Sequence, residues 1–87
     1  MYYVYLLENQ GDKSWYIGFT EDLERRVKYH NSGKGGRTTK LKVSWQLIYS
    51  EAYLNQKDAL GRERFLKSGS GRKYLKKQLG HYLGGTT

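Results

Sequence analysis

Arg26 and His30 stand four residues apart in a segment with the spacing of a helix. With Leu23 and Val27 they occupy positions i, i+3, i+4 and i+7, the stripe through which a helix packs on a core. A guanidinium can bind anions and an imidazole can transfer protons, so two polar side chains beside the buried side of a helix are candidates for a functional role. The structural alternative, which this helix alone favours, is an arginine that covers apolar surface with its stem and a hydrogen-bonded histidine near the helix end.

Glu63 raises the same question in a second segment of helical spacing. The apolar stripe there consists of Ala59, Leu60 and Leu66, and Glu63 falls near its middle with Lys67 one turn further on. A carboxylate removed from water costs several kcal/mol, as an order of magnitude, unless a cation or metal accompanies it. An i,i+4 salt bridge with Lys67 is the structural alternative, but it contributes only about 0.2–0.5 kcal/mol. A functional role for Glu63 is therefore favoured if the stripe faces the core.

Tyr5 and Tyr16 lie in two strand-like segments, residues 2–7 and 14–19, which a short polar turn joins into a hairpin. Side chains alternate between the two faces of a strand. Depending on the residues that form the turn, Tyr5 lies opposite Tyr16 or opposite Gly18. Either register keeps both tyrosines on one face, but such aromatic pairs usually serve packing alone.

The elements that must position these residues follow the order ββαβαα. We expect the first helix to end at Asn31, residues 43–53 to form a third strand, and the second helix to end near Ser68. The expected helix caps are Thr20, Asn55 and Ser70. The apolar side of the third helix would consist of Tyr74, Leu75, Gln78, Leu79, Tyr82 and Leu83. The predicted fold class is α+β, a small three-stranded antiparallel sheet flanked by helices.

The length of 87 residues suits one modest core, so we expect a single domain over residues 1–83 and a frayed tail over 84–87. Without cysteine, neither disulfides nor thiolate metal sites are available. We see no apolar stretch long enough to span a membrane and no signal-peptide pattern, which predicts a soluble cytoplasmic protein without a membrane partner. The oligomeric state is left open.

Sixteen Lys and Arg residues against eight Asp and Glu residues give a formal charge of +8, which predicts a polyanionic partner. Nine tyrosines support nucleic acid, since aromatic faces among cations suit its backbone and bases. Residues 33–42 contain three glycines and four Lys or Arg residues, which predicts a mobile basic loop. The candidate phosphate contacts are Lys34, Arg37 and Lys40 in this loop and Arg72, Lys73 and Lys76 in the third helix. The alternative is a small basic ribosome-associated protein.

Three motifs together resemble the GIY-YIG nuclease family. Tyr3-Val4-Tyr5 and, after ten intervening residues, Tyr16-Ile17-Gly18 resemble the paired motif of the family name, with Tyr3-Val4 in place of Gly-Ile. Residues 18–30 are similar to the family's helix with its arginine and histidine, and residues 59–67 to the helix with its metal-binding glutamate. The likeness covers about residues 2–75 and is nearest to short bacterial stand-alone proteins, which implies a GIY-YIG endonuclease-like fold.

The resemblance implies a divalent-metal-dependent endonuclease that hydrolyses phosphodiester bonds in nucleic acid, for which we expect DNA and a repair or processing context. Glu63 would hold one Mg²⁺ or Mn²⁺ ion, and Arg26 would bind the scissile phosphate. Tyr5 would accept the proton of the attacking water, Tyr16 would orient that water or the phosphate, and His30 would be an alternative base or orient Tyr5. Lys67 would add to the field that favours the phenolate of Tyr5 and to nucleic-acid binding.

One departure from the family pattern keeps a second interpretation open. The family often has an asparagine late in the domain that helps to hold the phosphate, whereas Asn55 is the last asparagine here and precedes Glu63. The alternative is a non-catalytic module that binds nucleic acid on the same fold.

Overall fold

The computed structural model describes residues 1–32 and 44–84, which contain three strands and three helices. The strands are β1 (Tyr2–Asn9), β2 (Trp15–Thr20) and β3 (Trp45–Tyr53), and the helices are α1 (Leu23–Asn31), α2 (Gln56–Lys67) and α3 (Gly69–Gln78). The predicted ββαβαα order and α+β class are confirmed. The basic loop over residues 33–42 lies outside the described residues, as do residues 85–87 of the tail. Within the described ranges, no helix is long and apolar enough to cross a membrane.

The central strand of the antiparallel sheet is β1, which pairs with β2 on one side and with β3 on the other. Residues 4–9 of β1 are all buried, because the strand has neighbours on both edges and packed side chains on both faces. Tyr5 pairs with Gly18 rather than with Tyr16, so the second of the two predicted registers is formed. The edge strand β2 therefore carries Gly18 directly beside Tyr5.

The two faces of the sheet bury different side chains. Alternation along β1 sends Val4 and Leu6 to one face and Tyr5 and Leu7 to the other. The first face packs against α2 and α3 through Ala59, Leu66 and Leu75. The second face packs against α1 through Leu23 and Val27, and includes Tyr16, Trp45 and Leu47. Tyr5 and Tyr16 thus share the face that α1 covers.

The first two helices begin at capping side chains, one of which differs from the prediction. Asp22, not Thr20, caps α1, and its carboxylate accepts a hydrogen bond from the backbone N–H of Arg25. Thr20 is unavailable because β2 continues through it, and its hydroxyl instead accepts from the backbone N–H of Asp22. The predicted cap of α2 is confirmed, since the side chain of Asn55 accepts from the N–H of Lys57.

The cap predicted for the third helix is wrong by two residues. Ser68 ends α2 and also caps α3, with its hydroxyl accepting from the N–H of Gly71, so Ser70 lies inside the first turn. Helices α2 and α3 share Ser68 as their boundary residue because Gly71, which has no side chain, allows the backbone of α3 to pack closely against that of α2. A Cβ at Gly71 would come within 2.5 Å of the Cα of Leu66.

The third helix is also shorter than predicted. It ends at Gln78, and Tyr82 and Leu83 lie in turns beyond it with about half or less of their surface exposed. Gly80 favours termination because glycine loses the most backbone freedom in a helix. Of the predicted apolar side, only Leu75 is fully buried.

Candidate active site

The phenol ring of Tyr5 lies across the neighbouring strand directly over Gly18. Tyr5 is 2% exposed, and its partner in the β1–β2 ladder is Gly18. A Cβ built on Gly18 would collide with the Tyr5 hydroxyl oxygen and lie 2.5 Å from its Cζ. Gly18 is thus required by space, since glycine in a strand permits close approach of another group.

A buried histidine meets Tyr5 from the first helix. His30 lies in the last turn of α1 at 1% exposure, and its Nε2 lies 3.0 Å from the Tyr5 hydroxyl oxygen. The Tyr16 ring packs on the same imidazole at a centroid distance of 4.7 Å, and 6.4 Å separates the two tyrosine rings. The hairpin and α1 therefore bring these three predicted side chains into one aromatic cluster.

His30 is neutral at pH 7 in this environment. Burial first, and then the positive charge of Arg26, hold the pKa of His30 below its usual value. Its Nδ1 has no hydrogen-bond partner among the described residues. With the proton on Nδ1, Nε2 accepts a hydrogen bond from Tyr5; with the proton on Nε2, the direction reverses. The first tautomer prepares His30 to receive the proton of Tyr5.

Tyr5 is a phenol rather than a phenolate in the protein alone. Burial raises the pKa of Tyr5 well above its usual value, and the neighbouring Tyr16 and the charge of Glu63 raise it further. The cation of Arg26 acts in the opposite direction but does not outweigh the burial. The positive charge of Arg26 alone is thus too weak to stabilise the phenolate of Tyr5 that the sequence analysis predicted.

Glu63 lies at the rim of this cluster, not in the core. Its side chain is 18% exposed, while Ala59 and Leu66 on the same helix are buried. Oε2 of Glu63 lies 3.1 Å from Nζ of Lys67, so the structural alternative, an i,i+4 ion pair, is formed. Its charge nevertheless contributes to the raised pKa of Tyr5. Lys67 accordingly faces Glu63.

The donor chemistry of Glu63 suits one hard divalent ion. Among the described residues, no group of three or more His, Cys, Asp or Glu side chains could hold a metal. Mg²⁺ does not require one, because it retains several waters and binds through one or two carboxylates together with substrate phosphate oxygens. A single carboxylate at a partly exposed position is compatible with such an ion.

Arg26 lies on the exposed side of α1. Its guanidinium packs over the Tyr29 ring at 5.5 Å and lines a cleft of about 470 Å³ with neighbouring residues of the β2–α1 junction. That cleft does not include Tyr5 or Tyr16. The positive charge of Arg26 still lowers the pKa of both Tyr5 and His30. Arg26 is therefore open to a phosphate that approaches the cluster.

The remaining predicted contacts are distributed over the chain. Lys73 is exposed on α3, and Arg72 and Lys76 line a separate groove on that side of the molecule. Lys34, Arg37 and Lys40 lie outside the described residues.

Sequence reasoning missed a hydrogen-bonded network beside Glu63. Arg62 donates two hydrogen bonds, of 2.8 and 2.9 Å, to the Glu51 carboxylate on β3, which also accepts from the hydroxyls of Tyr49 and Tyr53. Burial alone would raise the pKa of Glu51, but the hydrogen bonds from Arg62 and the tyrosines lower it overall. The available signal was Glu51 between two tyrosines at i−2 and i+2 on one strand face. The network ties α2, and with it Glu63, to the sheet.

Comparisons with known proteins give matches in both sequence and structure. Residues 1–77 match the model of the GIY-YIG catalytic domain. The chain is 42% identical over 65 residues to a UPF0213 protein of Streptococcus pneumoniae and 43% identical over 56 residues to UPF0213 protein YazA of Bacillus subtilis. These matches cover 75% and 64% of this chain, and 65% and 57% of the relatives' lengths.

A solved relative covers nearly the whole chain. UPF0213 protein BH0048 of Halalkalibacterium halodurans is 40% identical over 84 residues, which is 97% of this chain and 86% of the relative. Its solution NMR structure, recorded under Bacillus halodurans, superposes with a TM-score of 0.54 at 41% identity and covers 98% of this chain and 88% of that one. The described fold is thus that of a structurally known set of short proteins.

Proposed function

This chain belongs to the GIY-YIG catalytic domain family, and from that premise we propose that it is a divalent-metal-dependent endonuclease that hydrolyses phosphodiester bonds of DNA. The observation that carries the proposal is the buried hydrogen bond between Tyr5 and His30, with the charges of Arg26 and Glu63 at its rim. Among the described residues, Nδ1 of the buried His30 has no hydrogen-bond partner, which is costly, and chemistry at the adjacent phenol supplies a reason for that cost. A repair or processing role and a cytoplasmic location remain predictions from the sequence.

Arg26 binds the scissile phosphate in this proposal. Its guanidinium is exposed at the cleft beside the cluster, and a planar fork of donors matches two phosphate oxygens. The positive charge is present before the reaction, so it also stabilises the negative charge that develops on the non-bridging oxygens. More distant phosphates contact Arg72, Lys73 and Lys76, together with Lys67 and the basic-loop residues Lys34, Arg37 and Lys40.

Proton removal from the attacking water uses Tyr5 and His30 together. The water transfers a proton to the phenol oxygen of Tyr5 while the original phenol proton moves to Nε2 of His30, 3.0 Å away. The water O–H bond breaks, the new O–H bond forms on Tyr5, and the imidazole becomes an imidazolium. This route needs no free phenolate, which the raised pKa of Tyr5 disfavours. Tyr16, packed on the imidazole, orients the water or the phosphate.

Glu63 would hold one Mg²⁺ or Mn²⁺ ion, which supplies Lewis-acid stabilisation of the phosphate and of the leaving 3′ oxygen when bound. Lys67 pairs with Oε2 of Glu63, so the other carboxylate oxygen would hold the ion, and the 57% exposed Lys67 would remain open to a phosphate. Arg62, fixed by Glu51, holds the turn of helix that presents Glu63.

Purified protein incubated with labelled single-stranded, duplex and branched DNA and RNA, with Mg²⁺, with Mn²⁺ or with a chelator, tests this function. We expect cleavage that needs metal and that Tyr5→Phe and Glu63→Gln abolish. Lys57→Ala, an exposed cation on α2 away from the cluster, is the matched control and should cleave as the parent does. Cleavage that persists in chelator would contradict the metal requirement.

A non-catalytic nucleic-acid-binding module is the second candidate, because Glu63 is already paired with Lys67 and the late asparagine of the family has no counterpart. It predicts salt-dependent binding without cleavage of any substrate in the panel. The ribosome-associated interpretation requires Arg26, His30 and Glu63 to lie apart, whereas all of them lie close to Tyr5 or His30.

A further inference from the structure

A second groove, of about 790 Å³, lies between the hairpin turn and the end of α3. Its lining combines cations with aromatic rings and one carboxylate: Lys13, Arg72, Lys76, Trp15, Tyr82 and Glu8. Cations interleaved with aromatic rings are typical of sites for single-stranded nucleic acid. Its chemistry is therefore that of a strand-binding groove.

This groove is separate from the Tyr5–His30 cluster but close to it around one edge. Trp15 and Tyr16 are consecutive on β2, so their side chains point to opposite faces of the sheet. Because β2 is an edge strand, the two faces meet around it without another strand between them. A nucleic-acid strand bound at the cluster can therefore reach the groove by passing over the edge of the sheet at β2.

The charge of the groove is positive. The Glu8 carboxylate accepts hydrogen bonds from Nε1 of Trp15 at 3.1 Å and from the Tyr82 hydroxyl at 2.6 Å. Both carboxylate oxygens therefore have hydrogen-bond donors, and these bonds connect the two sides of the groove. Neither Lys13 nor Lys76 forms an ion pair with a described residue. These uncompensated cations, with Arg72 stacked 5.2 Å from the Trp15 ring, attract an anion.

The backbone at Lys13 gives an independent reason to assign a role to this groove. Lys13 has φ +64, a left-handed conformation that glycine or asparagine adopts more readily. Gly11 lies in the same turn but does not occupy the left-handed position. Lys13 thus adopts an unfavourable backbone conformation at a position whose side chain lines the groove.

We propose that this groove binds a single-stranded segment of the nucleic acid whose phosphate is cut at the Tyr5–His30 cluster, an inference that rests on the proposed function. Lys13 and Lys76 contact phosphates, and Arg72 with Trp15 forms a stacking platform for a base. Small-molecule pockets occupy about 300–1,000 Å³, and a groove of this size suits a base with its phosphates better than the full width of a duplex.

The two tryptophans of the chain allow the groove and the cluster to be observed separately. Trp15 lines the groove, and Trp45 packs against Tyr16 at a centroid distance of 6.4 Å. We would titrate ¹⁵N-labelled full-length protein, with chelator present to prevent cleavage, with a short oligothymidine strand and record the two indole N–H signals. The Trp15 signal should shift with the strand and shift less with a blunt duplex of the same length.

Matched variants complete the test. Lys13→Gly and Lys76→Ala should each weaken strand binding several-fold and reduce the slope of log affinity against log salt by ~0.7. Lys77→Ala removes one positive charge from the neighbouring position, which lies outside the groove. Its strand affinity and its salt slope should both stay closer to the parent values. Lys13→Gly also relieves the left-handed backbone, so its melting temperature should be unchanged or higher and weaker binding cannot reflect unfolding.

Three results would overturn the inference. A shift of Trp45 without a shift of Trp15 would locate the strand at the cluster alone and leave the proposed nuclease function intact. Equal effects of Lys76→Ala and Lys77→Ala would show that the groove is not the interface. An equal Trp15 response to duplex would exclude preference for a single strand. Failure of the nuclease proposal is detected separately, as absence of metal-dependent cleavage while Trp15 still responds.

Discussion

The Tyr5 hydroxyl and Nε2 of His30 lie 3.0 Å apart although 25 residues separate them along the chain. The contact needs the central strand, the glycine beside it and the last turn of α1 in one arrangement. It joins a phenol of raised pKa to an imidazole of lowered pKa, both of them shifted chiefly by burial. Both shifts favour the uncharged forms, so the pair is a neutral hydrogen-bonded unit at neutral pH.

Glu63→Gln separates the metal-binding role of this carboxylate from its ion pair. The variant should fold, with a free energy of unfolding within about 0.5 kcal/mol of the parent, because a partly exposed i,i+4 pair contributes little. Cleavage should fall by roughly 10²-fold or more, the order associated with loss of one charge-stabilising group. Affinity for nucleic acid without metal should be unchanged or slightly higher. A destabilised variant with undiminished metal-dependent cleavage would refute the catalytic role.

Gly18→Ala should displace the Tyr5 ring. The new Cβ would overlap the phenol, and overpacking of this kind lowers the free energy of unfolding by ~1–3 kcal/mol. Gly61→Ala is the control, because nothing lies within 4 Å of a Cβ there and alanine in a helix interior should stabilise by ~0.5–1 kcal/mol. Urea denaturation and cleavage assays measure both. Full activity of Gly18→Ala would show that the position of Tyr5 is not critical.

Glu51→Gln should destabilise the protein by ~1–3 kcal/mol, because Arg62 loses a largely buried charged partner and the side chains are only 15% and 26% exposed. Arg64→Ala, exposed on the same helix, should change stability by less than about 0.5 kcal/mol. Because the pKa of Glu51 is lowered on folding, its contribution is present above the unfolded value near ~4.3 and is lost as pH falls through the folded value. Glu51→Gln should lack that component of acid destabilisation in melts from pH 6 down to about pH 3.

The pH dependence of cleavage should reveal His30. Its pKa lies below the ordinary value near ~6.5, so the rate should stay high through pH 6.5 and fall only as the imidazole becomes protonated below that. His30→Gln should lose this acidic limb along with most activity. Stability should fall over the same range, since the unfolded chain binds the proton more readily. An acidic limb that persists unchanged in His30→Gln would assign it to another group.

Local pattern predicted much of this arrangement because it depends on periodicity. Alternation placed Tyr5 and Tyr16 on one face under either register, and helical spacing placed Arg26 beside His30. The errors arose where side chains compete or where distant segments meet. Thr20 and Asp22 both suit a cap, and only the extent of β2 decides between them. Tyr82 reaches Glu8 across 74 residues, and no local pattern in the sequence indicates that contact.

The most direct measurement is single-turnover cleavage by the parent and Tyr5→Phe, on one substrate, with Mg²⁺ and with chelator. Phenylalanine retains the ring over Gly18 and removes only the hydroxyl that lies against His30. We expect the parent to cleave only with metal, and Tyr5→Phe to bind the substrate equally well but cleave at least ~10²-fold more slowly. Cleavage by Tyr5→Phe at the parental rate would contradict the role of the Tyr5–His30 pair.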